Sequence, residues 1–233
     1  MSNWVNKKGT IILWEKIMLR FRSSKVVLYW LYISAIFLIL IVAVTSYYLN
    51  IPISHFTRDP LAITGGHPFL GFISNIGVIL WSFSVAICFF SYVLLKTSKK
   101  PHDVLRYIMF GGFISLVLLL DDLFMLHENI YPKYFGVSEK ITFILYGVLV
   151  LFYLVKFRKI IIETDFIFLL LALFFSMLSI LVDLLPDSLL LWHHLYEDGS
   201  KFFGVVSWFG YQFLACFQEV QSVDYIIQKK EKM

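Results

Sequence analysis

Polar residues are sparse along this chain and fall in clumps, with long apolar runs between them. A helix needs about 20 mostly apolar residues to cross roughly 30 Å of hydrocarbon. Six runs approach that length: Val26–Tyr48, Pro68–Leu95, Tyr107–Leu126, Thr142–Phe157, Phe166–Leu184 and Phe202–Gln218. The connections are short, so consecutive helices should run antiparallel, as in a bundle. The pattern therefore predicts an all-α fold, a polytopic membrane bundle of six transmembrane helices. Residues 1–25 would form a cytoplasmic or interfacial segment, 26–222 the membrane domain, and 223–233 a tail. Residues 11–22 (IILWEKIMLRFR) suit either a helix lying at the interface or an extension of the first span.

Composition supports the pattern. The 233 residues are 59% hydrophobic and only 15% charged, with mean hydropathy +0.79. An ordinary soluble domain is about 45–50% apolar and about 25% charged. The excess excludes a disordered tail, a secreted disulfide scaffold and an ordinary cytosolic enzyme. Cys88 and Cys216 both lie inside apolar runs, so no disulfide framework is indicated. The run from Val26 has no small-residue cleavage pattern behind it and reads as an anchor that stays. The 18% of aromatic residues suits membrane packing and interface anchoring, not a stacking surface for nucleic acid.

Charge sets the expected direction. Sixteen of the twenty Lys and Arg residues fall in the N-terminal segment, in alternate connections or in the tail. Only Arg58, Lys133, Lys140 and Lys201 fall on the other side. Both termini are therefore expected in the cytoplasm, in a multi-pass protein of the plasma (inner) membrane.

The side poor in cations is rich in other chemistry. It holds five of the six histidines and nine of the sixteen acids. Only fourteen uncharged residues separate Arg106 from Asp121, a run about 10 Å short of the hydrocarbon thickness. Asp121 and Asp122 should thus lie below the outer surface, where carboxylates face a bundle interior or a cavity. His127 and Glu128 follow, and an unbroken helix would put Asp121 and Glu128 on one face. The approach to the sixth run, LPDSLLLWHHLYEDGSKFFG, offers Asp187 as an N-cap. It then pairs His193 with Glu197 and His194 with Asp198 at i, i+4, a spacing that can chelate a metal ion. Lys201 is an alternative partner for Glu197, Gly199 a candidate kink, and Asp183 a further contributor from the fifth run.

The candidate site follows from these residues. Asp121, His127, His193, His194, Glu197 and Asp198 are the expected ligands of a divalent ion, zinc or iron. Asp122 and Glu128 are the expected catalytic bases. The same cluster also suits an ion-pair network or an ion path, and no single spacing matches a strong metal motif.

Ser74–Asn75, Leu120–Asp121–Asp122–Leu123 and Trp192–His193–His194 resemble short pieces of the alkaline-ceramidase group of zinc-dependent membrane hydrolases. That resemblance would imply a zinc-activated water. Here the third span lacks a histidine ahead of Asp121, the HxxxH pattern ends in Glu197 or Asp198, and six spans stand for seven. The leading expectation is a metal-dependent membrane hydrolase acting on a lipid or lipid-linked substrate. The rival is a small transporter or an accessory subunit of a membrane complex, with the cluster structural.

Overall fold

The structure is a computed structural model that describes residues 29–58, 60–98, 100–186 and 192–231, with side chains described as far as residue 223. Residues 11–22, expected as an interfacial helix or an extension of the first span, and the Asp187 cap lie outside the described residues. Helix makes up 86% of the structure, and no strand occurs among the described residues. The helices are α1 (Tyr29–Leu49), α2 (Ser54–Thr57), α3 (Pro60–Thr64), α4 (Phe72–Thr97), α5 (His102–Phe124), α6 (Glu139–Ile162), α7 (Ile167–Asp183) and α8 (His193–Glu231). A π-helical segment, Leu126–Phe135, joins α5 to α6.

Among the described residues, α1, α4, α5 and α6 are long and apolar enough to cross a membrane. The 17 residues of α7 extend about 25 Å, a little short of the hydrocarbon core. In α8 the first turns are charged and the apolar stretch begins at Phe202.

The chain divides into two units, Met1–Leu70 and Gly71–Met233. In the first, α1 leaves its apolar side chains exposed, as a lipid-facing helix would. It ends at Asn50, whose φ of 52° is a left-handed conformation that asparagine tolerates better than most residues. Ser46 bonds across this turn to the Ile51 carbonyl at 2.7 Å.

In the second unit, small residues decide which helices touch. A Cβ at Gly112 of α5 would lie 2.8 Å from the Cys88 Cβ of α4, so glycine lets those two helices close. A Cβ at Gly204 of α8 would lie 2.8 Å from Ser176 Oγ and 3.2 Å from its backbone nitrogen, which seats α7 on α8. The core between α4, α5 and α8 is then tied by polar side chains that would be costly in lipid alone. Tyr107 and Tyr211 share a hydrogen bond of 2.6 Å, Trp208 donates to Ser115 at 2.8 Å, and the Cys88 thiol donates to Gln212 Oε1 at 3.3 Å. Lys100 and Glu219 pair at 2.9 Å toward the opposite end from the acidic cluster.

Helix α6 departs from the pattern. It rests on α5 and on the π segment, bends at Phe157, and buries few residues besides Thr142, Tyr153, Phe157 and Ile161. It does not pack closely on α7, its neighbour in sequence. Consecutive helices of this bundle are therefore not all closely packed on one another.

Candidate functional site

The space between these helices is a cavity of about 850 Å³. Asp121, Asp122, His127, Glu128, His193, His194, Glu197 and Asp198 all line it, and Asp183 joins them. Two segments far apart in sequence thus converge on one volume. Ser74 and Asn75 are exposed and do not line it.

The α5 side is built by a break in the helix. Met125 takes a φ of 48°, and the chain leaves α5 for the π segment. The unbroken helix that would have aligned Asp121 with Glu128 is therefore absent: the left-handed residue resets the register. The same reversal folds His127 back onto Asp121. His127 Nδ1 lies 2.5 Å from Asp121 Oδ2, and the His127 backbone N–H donates to Asp121 Oδ1 at 3.1 Å. The Tyr146 hydroxyl, from α6, donates to the same Oδ1 at 2.8 Å. Asp121 thus has protein donors on both oxygens. The other ring nitrogen, Nε2, faces Glu128 at 3.6 Å and Glu139 at 3.7 Å. Burial alone would lower the His127 imidazole, but the hydrogen bond and charge of Asp121 outweigh it and raise it above its ordinary value.

Asp122 turns toward α4 and α8. It accepts from Trp81 Nε1 at 2.8 Å and pairs with Lys201 Nζ at 2.7 Å. Spacing alone offers Lys201 to Glu197; the α5 side gives it Asp122 instead.

The α8 side begins with His193, His194 and Glu197. His193 Nε2 donates to the Val182 carbonyl at 2.9 Å, since a carbonyl can only accept. In the neutral ring this leaves Nδ1 with its lone pair. His193 Nδ1 lies 3.8 Å, and His194 Nδ1 3.7 Å, from the same oxygen, Glu197 Oε2. The three ligand atoms lie within 4.8 Å of one another, a group that could hold a metal ion. The backbone bond from the far nitrogen is the kind of support that orients metal-binding histidines. Asp198 lines the cavity outside this trio, so His194 meets Glu197 at i+3 rather than Asp198 at i+4. Helix α8 is continuous through Gly199. Burial, and then the charges of Asp183 and Asp198, push the Glu197 carboxyl above its ordinary value.

The family model described as Domain of unknown function (DUF8692) matches residues 18–215. The chain belongs to this family. The DUF8692 match takes in both halves of the cavity, from the Asp121 region to the His193 region. No curated protein and no solved structure matches the chain.

Sequence reasoning passed over Trp81, Tyr146 and Glu139 as parts of this site. Glu139 had a signal, an acid on the cation-poor side directly ahead of an apolar run. Trp81 and Tyr146 had none, because an aromatic residue in a membrane helix is ordinary until its polar atom is seen to point inward.

Proposed function

We propose that this DUF8692 protein is a metal-dependent membrane hydrolase acting at the outer face on a lipid or lipid-linked substrate. In this reading the chain crosses the plasma membrane six times with both termini in the cytoplasm. Helix α7 and the apolar part of α8 supply the fifth and sixth spans, and residues 26–222 form the membrane domain. The sixteen-to-four division of basic residues supports the direction.

The observation that carries the metal assignment is the approach of two imidazole Nδ1 atoms to a single carboxylate oxygen, at 3.7 and 3.8 Å. Ligand atoms about 2.1 Å from a tetrahedral zinc stand about 3.4 Å apart, and these three, all within 4.8 Å of one another, would draw together to hold one ion. The donor set of two imidazoles and a carboxylate suits zinc or iron. A bound ion of this kind lowers the pKa of a water ligand. Glu128, which lines the same cavity, is the proposed base that takes the water's proton. The Asp121–His127 dyad lies next to Glu128, and its imidazole can stabilise that carboxylate.

One observation favours the rival reading. Asp121 and Asp122 both have protein partners on each oxygen, as in a network that ties helix ends together. Elemental analysis of the purified protein, with and without a chelator, separates the two. About one equivalent of metal is expected, lost on chelation and in Glu197→Gln and His194→Ala variants. Wild-type protein free of metal under non-chelating conditions would leave the network reading in its place.

A further inference from the structure

The cavity has two ends of opposite character. Its polar end is described above. Beyond it, Gly147, Val150 and Leu154 of α6 and Leu173, Met177 and Ile180 of α7 line the same volume, leaving a gap between the two helices. The α6 residues recur at helical spacing, so one continuous stripe of that helix faces the gap. From Glu139 to Leu154 the stripe runs about 22 Å, roughly two-thirds of the hydrocarbon thickness. The gap is open at its side, because Leu151 and Met177 both line it and remain 58% and 64% exposed. It is held open by packing elsewhere: α7 is seated on α8 through Gly204, and α6 on α5. A slot that opens sideways, runs along the helices and ends at a polar head pocket has the shape of a lipid with one chain.

Charge narrows the head. His127 stands against Asp121 and Lys201 against Asp122. Glu128, Glu139, Asp183, Glu197 and Asp198 remain around the same volume. Among the described residues Lys201 is the only Lys or Arg that lines it. A single divalent ion at the histidines would offset two of these five charges. The remaining field attracts a cation and repels a phosphate or carboxylate head.

We infer that the slot between α6 and α7 binds the hydrocarbon chain of a cationic amphiphile, whose amine-bearing head sits among the carboxylates at the outer end. This inference rests on the outer-face reading above for its orientation in the membrane, and it names the substrate class of that site. It does not need the metal in order to hold.

The test uses the full chain in phosphatidylcholine nanodiscs and a photoreactive long-chain alkylamine, with the matching long-chain carboxylic acid as control. Saturable labelling of α6 and α7 by the amine is expected, competed by unlabelled long-chain amine and not by butylamine. The acid probe should label these helices about tenfold less, the ratio that one decade of affinity gives. A Cβ at Gly147 meets nothing within 4 Å, so Gly147→Leu projects into the slot without a clash. It should cut amine labelling about tenfold with the thermal transition unchanged. Equal labelling by amine and acid, or labelling unaffected by Gly147→Leu, would overturn the inference. Running the same labelling on metal-free protein keeps the two proposals apart. Labelling that survives in a protein shown to bind no metal retains the slot and removes the hydrolase, whereas metal without labelling does the reverse.

Discussion

Removing the His127 imidazole should destabilise the protein more than neutralising the acid it serves. His127 and Asp121 side chains are only 8% and 6% exposed. Breaking such a buried pair typically costs about 3–5 kcal/mol, because the surviving charge is left uncompensated. After His127→Ala, Asp121 would keep the Tyr146 hydroxyl and the backbone N–H of residue 127 on Oδ1. Two donors to an ionised carboxylate place the cost near the lower bound, about 3 kcal/mol. Asp121→Asn is a milder change. Its amide oxygen can accept from the same two donors and its NH₂ can donate to His127 Nδ1, so the expected cost is about 1 kcal/mol. For a chain of this size, 1 kcal/mol shifts the midpoint by about 2–4 °C, so the two variants should fall by about 6–12 °C and about 2–4 °C. The two buried cysteines supply the assay, since Cys88 and Cys216 are 0% and 1% exposed and react with a thiol-specific fluorophore only as the bundle opens. The double variant should be more stable than His127→Ala alone, because the second substitution removes the stranded charge. If adding Asp121→Asn to His127→Ala lowers the midpoint further, the pair is not the buried charge couple described here.

Two more outcomes are expected, one from the proposed topology and one from the seating of α7 on α8. Reporters active only in the cytoplasm should work when fused after Lys100, Lys159 or Met233 and fail after Asp59 or Lys133; the reverse pattern at two or more positions would overturn the six-span, termini-inside arrangement. Gly204→Leu must displace Ser176 and the α7 backbone, so it should cost about 1–3 kcal/mol in the same thiol assay, and a wild-type midpoint would show that α7 is not held on α8 at this point.

Much of this protein is legible without coordinates, because the bilayer is an unforgiving solvent. Long apolar runs have one economical backbone solution there, the helix, which satisfies every N–H and C=O within the segment. The long apolar runs therefore pointed to the helical class and to helices compatible with a membrane, and the short third run pointed to Asp121, which is buried, and Asp122, which is half-buried. The two polar clusters were also visible as clusters, since an imidazole or carboxylate near hydrocarbon has to collect partners. What sequence could not determine was who partners whom. Asp121 and Glu128 look aligned on a helix, yet the left-handed backbone at Met125 gives Asp121 to His127. Lys201 sits at helical spacing from Glu197, yet the side chain that α5 extends toward α8 gives it to Asp122. Most of all, the slot between α6 and α7 has no sequence signature. Both helices are apolar on many sides, and hydrophobicity does not distinguish a face that meets lipid from one that meets another helix. The contacts of Gly204 on α7 and of α6 on α5 hold the two apart, and such contacts exist only once the chain is folded.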